Sequence, residues 1–470
     1  MQKKIKLWDA IMLVMGSMIG SGIFIVSSDI MRNLGSGWWL VIVWIITGVM
    51  TVAAAISYGE LSAIFPKAGG QYVYLKEIFG RRIGFLYGWG LFSVIQTGTI
   101  AAVAVAFGKF TAYLIPALNN AQPIFQKGEF KITYIQILAI AIIMLLTFIN
   151  TKGVESGKML QNIFTGSKIL ALIGIITAGI FFVNTSFFSE NFSNGFEAFS
   201  NLKKDVSGNF LKSGWESVTG FALMGGIASA MVGSVFSSVA WENVTFVSGE
   251  IENPKKNVVR SMIFGTSAVM VLYLAVNLVY LTTLSRDEIA FAADDRVAVS
   301  SALAIFGNTG TLIIAILVMI STFGCNNGLI LSGARVFQTM SKDGMFFKSA
   351  AENNKNQVPE NALWMQGIWA SVLCLSGQYG NLLDMISFVI VLFYMITVFG
   401  VIYLRIKKPE LERPYKTWLY PVTPLIYLII GTTFCLLLLY FKTQYTWPGL
   451  LLVLIGLPIY YFINSSKKEV

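Results

Sequence analysis

Histidine is absent from the 470 residues, cysteine occurs three times, and only 12% of the residues are charged. Without histidine the chain lacks the commonest metal ligand and proton shuttle, and no Ser/His/Asp nucleophilic set can form. Cys325, Cys374 and Cys435 all fall inside apolar runs, which indicates neither a disulfide framework nor a zinc site. No metal or cofactor is therefore expected. Ordinary globular domains carry about 25% charged residues, so the shortage here excludes a soluble globule. The apolar runs hold no paired carboxylates and no metal-ligand cluster, which argues against an intramembrane enzyme.

What is present is apolar length. Hydrophobic residues make up 55% of the chain, and the mean hydropathy is +0.69. Runs near 20 apolar residues recur, which suits transmembrane helices and not the short alternating strands of a barrel. The fold class is thus read as an all-α integral membrane protein. The net charge of +10 invites a nucleic-acid reading, but the basic residues lie between the apolar runs, where topology explains them. The expected partner is the lipid bilayer, and no nucleic acid is expected. Twelve spans are predicted, at 8–32, 38–64, 83–115, 132–150, 158–183, 217–248, 258–284, 308–340, 361–378, 380–404, 420–441 and 447–464. Several are long enough to require tilt, a break or an extension beyond the bilayer. Alternating the loops puts roughly twice as many Lys and Arg on the side holding both termini, which is then the cytoplasmic side of the inner membrane. Met1 to Lys6 reads as a short basic leader into a retained helix. Loop 65–82 has amphipathic spacing suited to the membrane surface. The outer loop 184–216 reads as a plain solvated connection before a lid or partner contact.

Two spans are interrupted. The first contains Gly16-Ser17-Met18-Ile19-Gly20-Ser21-Gly22-Ile23-Phe24, three glycines and two serines inside a hydrophobic run. Each glycine costs a helix about 1 kcal/mol relative to alanine, and a break exposes backbone groups that hydrocarbon cannot satisfy. A half-helix resuming near Gly22 offers amides and a positive dipole end to a carboxylate. The alternative is a helix-packing face, since Gly16 and Gly20 fit a GxxxG spacing. In the sixth span, Gly220, Gly225, Gly226 and Gly233 lead into Phe236-Ser237-Ser238-Val239-Ala240-Trp241-Glu242-Asn243. A carboxylate and an amide thus sit at membrane depth, where ionisable residues are costly and by default functional. Ser237 and Ser238 can satisfy freed backbone groups there; the alternative is a continuous helix with Glu242 at the inner interface. Interruptions five helices apart predict two five-helix repeats of inverted topology with the site at the breaks. The repeats cover 8–183 and 217–404, with two additional helices over 420–464, in a single transporter domain spanning 1–470.

The residues resemble the amino acid–polyamine–organocation superfamily, in particular bacterial relatives of the L-type amino acid transporters. The likeness rests on Gly16 to Phe24, Tyr58-Gly-Glu-Leu61, Lys67-Ala-Gly-Gly-Gln-Tyr-Val-Tyr74, Leu160 to Leu170, Glu250-Ile-Glu-Asn-Pro-Lys-Lys256 and Ser321-Thr-Phe-Gly-Cys-Asn-Asn-Gly328, in that order. The resemblance implies that the amides of Gly20, Ser21 and Gly22 hold a substrate carboxylate. It implies further that carbonyls near Ile19 and Phe236 to Ser238 hold the ammonium, and that Phe236 closes over the substrate from outside. Val239 and Ala240 replace the more usual small or polar pair before Trp241, which alters the pocket. The outer loop 116–131 has no cysteine, where animal L-type transporters bond to a heavy-chain partner, so no covalent heavy chain is expected.

Lys168 lies ten residues beyond Lys158, about 15 Å along a helix, deeper than a snorkelling lysine normally sits. In sodium-coupled relatives of this fold a cation links spans one and eight near the fifth helix. The resemblance implies that the Lys168 ammonium replaces it, bonding carbonyls around Gly16 to Met18 and the side chains of Ser321 or Cys325, so that sodium is not needed. Glu60 and Arg335 either form an inner gate network or anchor helix ends, and Gln96, Gly98 and Thr99 either line a side-chain pocket or pack. Glu242 either pairs with a cationic substrate or, protonated, acts as a proton-sensitive gate; its neighbours Val239, Ala240, Trp241 and Val244 favour the second use. The expected function is secondary active transport of L-amino acids by alternating access, as sodium-independent exchange or proton-linked uptake, with neutral amino acids favoured. A cationic amino acid or polyamine transporter and a transporter-like amino acid sensor are the alternatives.

Overall fold

The computed structural model describes residues 5–67, 69–119, 123–127, 130–153, 155–205, 210–376 and 379–465. Among these, ten helices are long and apolar enough to cross a membrane. They provide span two (Gly37–Ile64), three (Arg81–Leu114), four (Tyr134–Thr151), five (Glu155–Phe181), six (Gly220–Ser237), seven (Pro254–Thr283), eight (within Val297–Lys342), ten (Tyr379–Lys407), eleven (Val422–Phe441) and twelve (Thr443–Ile463). The first and ninth expected spans are present in shorter form. Span one is Leu7–Met18 followed by Ser27–Leu34, and span nine is Glu360–Ser376. The helix of span eight begins earlier than expected and is broken where Gly307 takes a φ of 66°.

Hydrocarbon supplies no hydrophobic drive between helices, so small residues that admit close approach carry the packing. Gly265 of span seven seats Val14 of span one, Gly233 of span six seats Val26, and Gly324 of span eight seats Phe164 of span five. These contacts gather spans one, five, six, seven and eight around the two interruptions.

Two connections differ from expectation. The segment 65–82 forms the helix Gly70–Phe79, but it is packed into protein. Gln71 Nε2 donates to Thr397 Oγ1 (2.9 Å) and the Tyr72 hydroxyl to Asp343 Oδ2 (2.7 Å). Amphipathic spacing reports an apolar face without saying whether lipid or protein covers it. Loop 184–216 is likewise no plain connection. It contains the helix Thr185–Phe192 and a strand, Ala198–Ser200, paired antiparallel with Glu216–Val218. It lies on the second half of span one: Asn201 N donates to Arg32 O (2.8 Å), and Ser36 Oγ to Gly195 O (3.0 Å). Gly35, with a φ of 56°, abuts Phe199 so closely that an added Cβ would stand 2.6 Å from its carbonyl oxygen.

Candidate functional site

The first helix stops at Met18. Ile19 N still reaches Met15 O (2.9 Å), then Ile19 turns extended (φ −72°, ψ 91°), and a tight turn over Gly22–Phe24 precedes the next helix. A helix that stops releases its last carbonyls, and here three other spans take them up. Gly16 O accepts from Lys168 Nζ (2.9 Å), Ser17 O from Cys325 Sγ (3.7 Å) and Met18 O from the Tyr273 hydroxyl (2.9 Å). Beyond the break, Ile23 O accepts from the Tyr280 hydroxyl (3.3 Å), and Ser27 Oγ donates to Asn277 Oδ1 (2.6 Å).

Span six is interrupted at the matching place. Ser237 Oγ donates to Gly233 O and Ser238 Oγ to Ser234 O, both at 2.7 Å. Ala240 then adopts a φ of 69°, a left-handed conformation costing a residue with a side chain about 1–2 kcal/mol. Helix resumes only over Asn243–Phe246. The two breaks meet. A Cβ added at Gly22 would overlap the Ser237 side chain and stand 3.1 Å from Ser237 Cα, and one at Gly20 would lie 3.4 Å from Cys325 Sγ. The structure therefore brings Gly20, Ser21, Gly22, Ser237, Lys168 and Cys325 together, with Ile19, Phe236 and Ser238 buried alongside. Ser321, one turn before Cys325, is buried and its hydroxyl makes no hydrogen bond among the described residues.

Glu242 follows the break in span six. The left-handed turn at Ala240 sends its buried carboxyl among tyrosines: Tyr58 of span two, Tyr87 of span three, Tyr394 of span ten and Tyr427 of span eleven all lie in its field. The rings of Tyr58, Trp241 and Tyr394 touch one another, with centroids 4.8 to 5.7 Å apart. Among the described residues no lysine or arginine lies within ion-pair distance of the carboxyl, and its Oε2 makes no hydrogen bond. A cavity of about 10 Å³ lies between Ser238, Trp241, Tyr394 and Tyr427, room for about one water molecule.

Glu60 and Arg335 do not share a network. Glu60 accepts from Arg405 Nη2 (2.6 Å) and from Thr417 N (2.7 Å), tying span two to the end of span ten and the loop after it. Arg335 of span eight pairs with Glu250, just after span six. The chain ahead of span one joins there too: Ile5 N donates to Glu250 O (3.2 Å), and Glu252 N to Ile5 O (2.9 Å). Gln96 and Thr99 have protein partners, Leu329 O and Ile95 O (both 2.6 Å), and Gly98 abuts Ile386.

The end of span one away from the N-terminus carries an ionic cluster that sequence patterning did not single out. Arg32, buried on the second half of span one, donates through Nη1 to Asp295 Oδ1 and to Ala290 O, both at 2.7 Å, and lies 4.3 Å from the Phe210 ring centre. Lys109 Nζ of span three is 3.6 Å from the other Asp295 oxygen, and Arg296 pairs with Asp294 (2.9 Å). Burial opposes the Asp295 charge, but Lys109 and Arg32 hold its carboxyl below the usual carboxylate range. Tyr273, Asn277 and Tyr280 were also not singled out, although their spacing of four and then three residues marks one polar face of an apolar helix.

The family model described as "Amino acid permease" matches residues 5–460. The chain is 31% identical to the large neutral amino acids transporter small subunit 2 of Mus musculus over 463 residues, covering 98% of this chain and 81% of the relative. It is 28% identical to the Asc-type amino acid transporter 1 of Mus musculus over 472 residues (100% and 83%). It is also 28% identical to the b(0,+)-type amino acid transporter 1 of Oryctolagus cuniculus over 424 residues (88% and 79%).

Proposed function

Because the chain belongs to the amino acid permease family, we propose that it is a secondary transporter of L-amino acids working by alternating access. The observation that carries the reading is the meeting of two interrupted spans at Gly22 and Ser237. Such a junction offers amides to one end of a zwitterion and carbonyls to the other. The amides of Gly20, Ser21 and Gly22 take the carboxylate, the carbonyls of Ile19 and Phe236 to Ser238 take the ammonium, and Phe236 closes the outer side. Lys168 Nζ on Gly16 O supports a transporter that uses a fixed cation where a sodium-coupled one would need an ion. Transport is then sodium-independent, by exchange or coupled to protons.

Neutral substrates are the better reading. The groups around Glu242 are tyrosines of spans two, three, ten and eleven, so the carboxyl is poorly placed to pair with a substrate's cationic side chain. Its role is instead to set the response to pH. The two repeats, 8–183 and 217–404, enter the inner membrane from opposite sides, with both termini in the cytoplasm. No covalent heavy chain is needed, since 116–131 contains no cysteine.

Reconstitution into liposomes tests this. Preloading with a neutral L-amino acid should accelerate uptake of the same labelled compound when choline replaces sodium. Substrate-induced thermal stabilisation without flux would favour a sensor. Flux of lysine or a polyamine alone would overturn the neutral assignment.

A further inference from the structure

A groove of about 420 Å³ runs between spans two, seven and eleven, a size at which sites enclose ligands, roughly 300–1,000 Å³. Gly48 and Val52 form one wall, Met270 and Val271 another, and Trp418 and Ile426 the third. The groove opens outward: Val271 is 68% exposed and Trp418 66%. On a membrane-spanning surface such an apolar recess is filled by hydrocarbon, because neither water nor unsatisfied polar groups are stable there.

At the end nearer the termini the chemistry changes. Ile56 still lines the groove. Three residues further, Gly59 meets Tyr415 and Val259 so closely that an added Cβ would lie 2.8 Å from the Tyr415 ring and 3.0 Å from Val259. A cation follows each of those residues in sequence, Lys416 after Tyr415 and Arg260 after Val259. Arg260 is also seven residues before Ser267, another lining residue, so it lies on the same helix face about 10.5 Å nearer the membrane surface. Both cations are exposed, and among the described residues neither has an ion pair or hydrogen bond. The carboxylate closest to them along span two, Glu60, is already committed to Arg405 and to Arg413 (3.3 Å). Positive charge at this end of the groove is therefore unneutralised.

We propose that this groove binds one anionic phospholipid of the leaflet on the side of the termini. An acyl chain lies along Gly48, Val52 and Val271, and the phosphate sits between Arg260 and Lys416. Basic pockets between spans on the cytoplasmic side recognise such headgroups. The occupant would touch spans two, seven and eleven at once, so its binding would couple the lipid composition to their relative motion. The inference does not depend on what is transported.

The test is native mass spectrometry of the delipidated full chain, offered equal amounts of phosphatidylglycerol and phosphatidylcholine with identical acyl chains. The first bound lipid should be phosphatidylglycerol by about tenfold. Arg260→Gln with Lys416→Gln should abolish that preference while leaving the melting temperature within a few degrees. Val271→Trp, at an exposed position, should reduce retention of both lipids. In the unmutated chain, raising the salt concentration should weaken the headgroup preference, which probes the charges without mutation. An equal preference for the two lipids, or a preference that survives the double substitution and high salt, would overturn the proposal. So would retention indifferent to Val271→Trp, or a dimer mass lost in that variant, which would assign the groove to a second copy.

Discussion

Replacing Arg32 by glutamine should open the outer side of the protein. The side chain is held by Asp295 Oδ1 and Ala290 O at 2.7 Å and by the Phe210 ring, and the residue is only 4% exposed. Truncating one partner of a buried ion pair typically costs about 3–5 kcal/mol. Two features reduce that figure: the Asp295 side chain is 30% exposed, and Lys109 remains 3.6 Å from its other oxygen. About 1–3 kcal/mol is left, a roughly 5- to 150-fold shift in the ratio of closed to open outer side. Labelling of Ser21→Cys by a membrane-impermeant thiol reagent reads this ratio, and the native cysteines are all buried. The rate should rise by that factor with Arg32→Gln and by a similar one with Asp295→Asn. Arg32→Lys should fall between, because lysine lacks the planar fork. The Asp295 carboxyl is held below the usual carboxylate range, so its contribution is complete above the unfolded value and is lost as pH falls through the lowered one. Labelling of the Ser21→Cys protein should therefore be flat from about pH 5 to 8, once the reagent's own pH dependence is removed, and rise only in stronger acid. Unchanged labelling in both Arg32→Gln and Asp295→Asn would refute the reasoning.

Gly20→Val should abolish substrate-induced thermal stabilisation in a protein that still folds. Gly22→Val should lower the melting temperature as well, since its side chain would collide with Ser237; an amino acid ester that competes as well as the free acid would sink the carboxylate assignment. Lys168→Met keeps the stem but loses the bond to Gly16 O, so exchange should fall roughly 10- to 150-fold, the equivalent of about 1.5–3 kcal/mol. Marked sodium dependence of the unmutated protein would contradict the role given to Lys168. Glu242→Gln should flatten the pH dependence of transport between about pH 5 and 8 while neutral substrates still bind. Loss of cationic-substrate transport with the pH profile unaltered would reverse that assignment.

The interruptions were legible because they are written in residue type: glycines and serines in an apolar run weaken a helix wherever it packs. The depth of Lys168 was legible too, since rise per residue converts position into distance, and its bond to Gly16 lies within the range of carbonyls named for it. The direction of Glu242 was not. A left-handed alanine carries no sequence signal, and Ala240 turns the chain between the break and the carboxyl. The docking of 184–205 on span one was hidden for a related reason, because its hydrogen bonds to Arg32 and Ser36 use the backbone groups Asn201 N and Gly195 O, which every residue type has. Arg32 and Asp295 are 263 residues apart, and nothing local to either names the other.

The partners of span one also divide by side. Span seven holds it on both sides of the break, through Tyr273 to Met18 O and through Tyr280 and Asn277 to Ile23 and Ser27. Spans one and seven therefore have reason to move as one body. The other ties are one-sided. Lys168, Cys325 and the Ile5–Ile251 bridge grip the first half, whereas Asp295 and the segment at Asn201 grip the second. A motion that opens the outer side must break the second set and can leave the first intact. Inward opening must do the reverse. Each set thus stabilises closure of its own side, and a substitution in one set should bias the protein toward the opening that set prevents. Lys168→Met and Arg32→Gln are accordingly expected to shift Ser21→Cys labelling from outside in opposite directions, downward for the first and upward for the second. A shift in the same direction for both would mean that the two sets of ties do not hold opposite sides closed.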